Sequence, residues 1–365
     1  MGPPSPIDLM SSGACMNVIP LDERPVLVLY AGGTLGMVAT PQGLAPGDDM
    51  EGRLRRALDT LPPTRQAGLP HFVFRALEPA IDSSAATPRD WQQLGRSVAA
   101  AVGDHAGVVV LHGTDTLTWT AASLAYQLQG LDRPVVVTGA MLPLEAEGSD
   151  ALDNVELALR FAAEPRLQEV AIAFAGRLLR GVRTRKRHSE ALSAFDSPDY
   201  PPLGERVDAD AVLFPGRGLE AQQRGAPRFE LPDYGPLAEG GVVRIALWPG
   251  IQSWQVEAWL ADDRVRGGLL EVWGAGNVPS DPALLGALAR AGGEGKLLAA
   301  VSQCTAGGLA PGHYAAGQGL VQAGVLSSDA MTAEAALTKL VHLLAQPLGN
   351  DERRQRFLTP LVGER

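Results

Sequence analysis

The sequence predicts an α/β protein of two domains, a larger N-terminal doubly wound sheet followed by a smaller C-terminal α/β domain. Three observations lead there. The chain has 365 residues, more than one compact core ordinarily organises. Short β-branched runs alternate with helical stretches, the pattern of strands covered by helices on both faces. That alternation lapses once, where the sequence turns to Pro, Gly, Gln and charge. The chain therefore divides into residues 1–23, an extension read as disordered, residues 24–214, a linker at 215–239, and residues 240–365.

The runs Val26–Tyr30, Gly107–Leu111, Pro134–Val137 and Val170–Phe174 are short, apolar and bounded by glycine or charge, and read as buried strands of a parallel sheet. Pro88–Val102 reads as a helix with Thr87 as N-cap and Pro88 at its first position. Leu117–Gln129, after Asp115 and Thr116, and Asp153–Ala163, after Ser149 and Asp150, read as further helices. Beyond the linker, strands are expected at Gly241–Leu247, Gly268–Trp273 and Lys296–Val301, with helices at Asp281–Ala291 and Thr332–Leu344.

Composition narrows the function classes. Hydrophobic residues make up 45% and charged residues 20%, the profile of an ordinary globular protein. The formal charge of −10 repels phosphate, so neither nucleic acid nor an anionic membrane is an expected partner. No apolar run reaches the roughly 18 residues of a membrane span. Residues 1–20 show neither the basic nor the apolar region of a secretory signal, and Met16 offers a second start. Two distant cysteines, Cys15 and Cys304, suit a reducing compartment, so a cytoplasmic location is expected. The six histidines have no metal-ligand spacing, and neither metal nor cofactor is expected.

Open parallel sheets bind ligands at the carboxyl ends of their strands. Two expected strand ends carry hydroxyls in glycine-flanked turns: Tyr30-Ala31-Gly32-Gly33-Thr34-Leu35-Gly36 and Leu111-His112-Gly113-Thr114-Asp115-Thr116. Glycine lets backbone approach a ligand closely, and its N–H groups can hold an oxyanion. Either turn alone reads equally as a tight βα connection. Neither has the glycine pattern of a dinucleotide site nor the lysine of a phosphate loop.

Ala31-Gly32-Gly33-Thr34 and His112-Gly113-Thr114-Asp115-Thr116 resemble the two signature motifs of the asparaginase/glutaminase family. Asp82-Ser83-Ser84 with Thr87-Pro88-x-Asp90-Trp91 resembles the substrate-binding loop and following helix of its cytoplasmic (type I) branch. Val137-Thr138-Gly139-Ala140-Met141-x-Pro143-Leu144, Gly181-x-Arg183-Thr184, Ser197-Pro198-x-x-Pro201-Pro202-Leu203, Gly274-x-Gly276-Asn277 and Met331-Thr332-x-Glu334 are similar to further stretches of that branch. The likeness runs from Val26 into the mid-340s.

The resemblance implies L-asparagine as substrate, hydrolysed to L-aspartate and ammonia. Thr34 would be the nucleophile, forming an acyl-enzyme that water then cleaves. Thr114, Asp115 and Lys186 would be the threonine, aspartate and lysine of the family's triad. Ser83 and Ser84 would bind the substrate's α-carboxylate and α-amino end, with Gly113 and Ala140 beside them. Asn277 would complete the site from a neighbouring subunit, so a homodimer or homotetramer is implied. Taken alone, Lys186 sits in the basic run Arg183–His188, which reads as a solvated face or an RNA contact. Thr114 and Asp115 alone read as a helix N-cap, and His112 as a packed strand-end residue. Trp248, Trp254 and Trp273 read as core or interface, and Cys304 as a buried thiol, although similar to a region near a regulatory pocket in some relatives.

One departure bears on activity. The family carries a tyrosine on the loop after the nucleophile, where Gln42-Gly43-Leu44-Ala45-Pro46 has Leu44. Leucine relays no proton. A catalytically impaired, asparagine-binding or sensing protein is thus an alternative, as is a broader asparaginase/glutaminase. A tRNA-dependent amidotransferase subunit, with its added N-terminal domain, is disfavoured.

Overall fold

The computed structural model describes residues 24–310 and 315–365. The expected N-terminal extension, with Cys15 and Met16, lies outside them.

The larger unit opens with β1 (Val26–Tyr30), followed by a 3-10 turn at Thr34–Gly36 and an antiparallel hairpin of β2 (Met37–Thr40) and β3 (Gly43–Pro46). Next come α1 (Met50–Asp59), the single turn α2 (Pro63–Gln66), β4 (Phe72–Ala76) and α3 (Pro88–Ala101). Then β5 (Val108–Leu111), α4 (Leu117–Gln127), β6 (Val135–Thr138), α5 (Ala151–Ala162) and β7 (Val170–Phe174) alternate as the sequence predicts. The unit ends with β8 (Arg177–Arg180), the short antiparallel pair β9 (Arg185–Lys186) and β10 (Phe195–Asp196), β11 (Gly204–Val207) and β12 (Asp210–Leu213).

Eight strands form one sheet in the order β12-β11-β8-β7-β6-β5-β1-β4. The four runs read as strands of a parallel sheet, β1, β5, β6 and β7, are parallel to one another, and antiparallel strands extend the sheet at one edge beyond them. From β4 to β7 the pairings are parallel, but β7–β8, β8–β11 and β11–β12 are antiparallel. The reason is local. Only Ala175 and Gly176, both at positive φ, separate β7 from β8, and that two-residue reversal forces a hairpin.

The smaller sheet, β13 (Val242–Ala246), β14 (Gly267–Val272), β15 (Leu297–Ser302) and β16 (Leu326–Ser327), is parallel throughout. Its crossovers are α6 (Ser253–Leu260), α7 (Pro282–Gly293) and α8 (Ala315–Gln322). α9 (Ala333–Leu344) and α10 (Asn350–Leu358) follow.

Helices cover both faces of the large sheet. Leu54 and Leu58 of α1 and Val155 and Leu159 of α5 pack on Val26 and Val28. On the other face Leu94 and Val98 of α3 and Leu117 and Leu124 of α4 pack on Leu27 and Leu29, and this cluster continues into Leu340 and Leu343 of α9. α4 is buried along nearly its whole length, the condition of a helix sandwiched between layers. The N-cap expected at Thr87 is present, in a capping box that Asp90 closes.

At the surface, Trp254 is 67% exposed and Trp248 41%, so of the core-or-interface reading neither is core, while Trp273 is half-buried against the smaller domain's core. Cys304 is exposed rather than buried, because the loop after β15 turns outward from its N-terminal hold on Ser302.

Candidate active site

The site gathers where the β1 and β5 carboxyl ends lie side by side. Ala31 N–H donates to Leu111 carbonyl and Ile81 N–H to Ala31 carbonyl, both within hydrogen-bond range, so three loops meet at one strand end. The glycines make the meeting possible. Gly32 and Gly33 hold φ of 123° and 103°, outside the range other residues adopt readily. A Cβ on Gly33 would lie 2.5 Å from Gly113 Cα, and one on Gly113 would lie 2.3 Å from Ser83 Oγ.

The turn that follows raises Thr34 at the head of its 3-10 segment. Its root is pinned from α1: Arg53 donates to the Gly36 carbonyl at 2.8 Å and to the Met37 carbonyl at 3.3 Å, and pairs with Glu145. Asp82 accepts from Ser84 N–H at 2.9 Å and Ser84 hydroxyl at 2.8 Å, and these bonds hold its carboxyl below the usual range. Thr116 hydroxyl donates to Ser83 carbonyl at 2.8 Å, tying the second loop to the third.

Lys186 arrives from β9, 71 positions beyond Asp115. Its Nζ donates to Thr114 Oγ1 at 2.9 Å and to Asp115 Oδ1 at 2.8 Å. The basic run is a solvated face only at its end, where Arg187 and His188 are exposed. Arg183 is buried and donates to the Ala330, Glu364 and Asp199 carbonyls, Arg185 pairs with Glu334, and Arg187 pairs with Asp196. These cations are engaged by their own chain, which leaves Lys186 aimed at Thr114.

A cavity of about 490 Å³ opens between the loops, lined by Thr34, Ser83, Ser84 and Asp115 among the expected residues. Thr114 is buried next to it, joined through Lys186. Ala140 is buried in the core cluster that holds Leu35, and Leu144 N–H donates to Leu35 carbonyl at 3.1 Å, so this loop backs the Thr34 turn. Asn277 does not line the cavity of the single chain. It sits in the smaller domain, in a turn closed by hydrogen bonds to Trp273. Leu44 stands on the hairpin, 52% exposed.

Sequence reasoning missed Tyr30, Met37, Pro46, Ile81 and the lining role of Asp82. Tyr30 ends β1 four residues before Thr34, and strand alternation could have aimed it at the turn. Burial pushes its phenol above the ordinary value. His112 is the packed strand-end residue expected. Its ring contacts Gly113 carbonyl and Thr120 hydroxyl, and complete burial pushes its pKa down. Among the described residues no group of three or more His, Cys, Asp and Glu side chains is placed to hold a metal ion. None of the described helices is long and apolar enough to cross a membrane.

The family model "Asparaginase, N-terminal" matches residues 25–217, and "Glutaminase/Asparaginase C-terminal domain" matches residues 241–357. The chain belongs to the asparaginase family. It is 36% identical to L-asparaginase 1 of Escherichia coli (strain K12), over 94% of this chain and 98% of that protein. Among solved structures it resembles L-asparaginase I from Vibrio cholerae O1, with a TM-score of 0.82 at 34% identity, covering 93% of this chain and 98% of that one. The thermostable L-asparaginase from Thermococcus kodakarensis gives a TM-score of 0.81 at 30% identity, covering 93% and 98%.

Proposed function

We propose that this asparaginase-family chain hydrolyses L-asparagine to L-aspartate and ammonia, with Thr34 as nucleophile. The observation that carries the reading is the Lys186 ammonium held between Thr114 Oγ1 and Asp115 Oδ1 beside the cavity that Thr34 lines. The Thr34 hydroxyl attacks the amide carbon, and its proton passes by way of Thr114, held by Lys186, to the departing nitrogen, which leaves as ammonia. Gly33 and Gly113 set the loops close enough for backbone N–H groups to face the developing oxyanion. Asp115, an exposed carboxylate on the wall, attracts the substrate's α-ammonium, and Ser83 and Ser84 hold its carboxylate end. Water then cleaves the acyl ester.

The same proposal includes a homodimer or homotetramer in which Asn277 of a second copy completes the cleft, the division into domains at 24–214 and 240–365, and work in a reducing, cytoplasmic setting. Glutamine differs by one methylene, a discrimination of about 1–3 kcal/mol in such a pocket, so glutamine is expected to be a poorer substrate. The impaired-binder alternative, which rested on Leu44, is not favoured by relatives that carry the name L-asparaginase.

Ammonia release from L-asparagine, L-glutamine and D-asparagine tests the reading, with Thr34→Ala alongside. Turnover of L-asparagine by the wild type, lost in Thr34→Ala while calorimetry still detects asparagine binding, is the expected result. Binding without turnover in the wild type would establish the sensor instead.

A further inference from the structure

The wall of the Thr34 cavity is polar at one pole and apolar at the other. Asp82, Ser83, Ser84 and Asp115 form the polar pole. Met37 and Pro46 line the cavity as well, from the root of the hairpin, where they are directly opposed across β2 and β3. Side chains two positions apart on a strand share a face. The next pair on the Met37–Pro46 face is therefore Ala39 and Leu44, which are also opposed in register.

The apolar wall thus continues up the hairpin beyond the cavity rim. Leu44, a large apolar side chain 52% exposed, stands at its end with no core to satisfy. The hairpin is a separate two-stranded sheet, joined to neither main sheet. Its turn is held by Thr40, whose hydroxyl donates to Gly43 carbonyl at 2.7 Å. Tyr30 and Ile81 also line the cavity. In the single chain the cavity of about 490 Å³ lies within the range of small-ligand pockets.

We propose that the site also cleaves β-amides of L-aspartate whose nitrogen bears an apolar substituent, with the Met37–Ala39–Leu44–Pro46 strip receiving the leaving group. The inference rests on the reading of Thr34 as an amide-cleaving nucleophile. The Thr34 Oγ–carbonyl bond forms as the C–N bond breaks, and the hydroxyl proton ends on the departing nitrogen, which leaves as a neutral amine. Water then cleaves the ester, restoring the threonine hydroxyl and releasing L-aspartate. The polar pole holds the same aspartyl end for both substrates.

The test uses the full chain with L-aspartate β-anilide, following aniline release, beside ammonia release from L-asparagine. The anilide is expected to turn over. In Leu44→Ser the ratio of kcat/KM for anilide over asparagine is expected to fall about tenfold, carried mainly by KM. Leu44→Phe, which keeps the strip apolar, is expected to hold or raise the ratio. Because Leu44 is exposed, neither change removes a core contact. Turnover of asparagine with no aniline released overturns the inference and leaves the proposed function standing. So does a ratio that Leu44→Ser leaves unaltered. Failure with both substrates defeats the amidohydrolase reading itself, and this inference with it.

Discussion

At the residue scale, the Lys186 ammonium decides whether Thr114 is polarised. One ammonium shared between a hydroxyl at 2.9 Å and a carboxylate at 2.8 Å fixes both side chains and sets the direction in which Thr114 can pass a proton. Replacing Lys186 by methionine keeps the stem and removes the charge. Since that side chain is 20% exposed, the fold is expected to hold, and kcat for asparagine to fall by about 10²–10⁴. Stopped ammonia assays with circular dichroism as the folding control check this; a loss under threefold would remove Lys186 from the mechanism. Gly33 makes a different demand. Its φ of 103° is strained for any side chain, and a Cβ there would meet Gly113 backbone at 2.5 Å, an atom that cannot swing aside. Gly33→Ala is expected to cost at least about 2 kcal/mol in urea unfolding. Gly43, at φ 116° with open space around it, is expected to tolerate alanine better.

At the scale of elements, Arg53 couples α1 to the hairpin and to the Thr34 turn. Its guanidinium satisfies the Gly36 and Met37 carbonyls while Glu145 neutralises it, and the Glu145 contact holds its pKa above the ordinary value. In Arg53→Met both carbonyls lose the guanidinium, although Gly36 keeps its bond from Gly47 N–H, and the hairpin root is expected to loosen. The measurable result is a higher KM and a lower kcat, with a stability loss of about 1–3 kcal/mol; partial recovery in Arg53→Lys marks the role as positioning. What the sequence revealed at this scale follows burial. Val26–Tyr30 and Val170–Phe174 are sealed on both sides, so their apolar runs announce strands. β4, β11 and β12 carry Arg75, Glu205 and Asp210 because one face or edge meets water, and the interior β8 is broken by Arg177 and by Arg180, buried against Glu169, so no such run exists to read. The site divides in the same way. Thr34, Thr114 and Asp115 sit in glycine-marked turns, whereas Lys186 hides among arginines whose partners, Glu334 and Asp196, are revealed only by the fold. Trp254, read as core or interface, stands on the outward side of α6, a helix whose apolar pattern the sequence did not announce, so the core half of that reading falls.

At the scale of the whole molecule, the segment between the two sheets works as a lock. Glu230 and Tyr234 lie in it, and both reach His342 on α9: Tyr234 hydroxyl donates to Nδ1 at 2.9 Å, and Nε2–H donates to Glu230 Oε2 at 2.8 Å. Arg356 of α10 and Gln129 after α4 also bind Glu230, so one carboxylate joins three elements. Burial alone would raise the Glu230 pKa, but the bonds from His342 and Arg356 outweigh it and pull the carboxyl to about 2. The folded value is below the ordinary 4.5, so Glu230 contributes stability that is present above that pH and lost as pH falls towards 2. Burial also depresses His342, so below its ordinary 6.5 the unfolded chain takes up the proton more readily. Both groups give the same sign: the chain weakens as acid is added. The melting temperature is expected to fall from pH 7 to pH 4 in the wild type. Glu230→Gln, which leaves Arg356 without its carboxylate, is expected to be less stable by of order 2 kcal/mol at pH 7. That deficit should narrow by pH 3, where more than half of the carboxylate's advantage over the unfolded chain has gone. A deficit that stays constant across this range would mean that the lock contributes shape and hydrogen bonds but no proton linkage. The lock also bears on the chemistry, because Arg183 and Arg185 hold the Lys186 strand against Glu364 and Glu334 of the smaller domain. Acid loosening of that domain is therefore expected to lower kcat before the larger sheet unfolds, which activity and far-ultraviolet dichroism followed on the same pH ramp would separate.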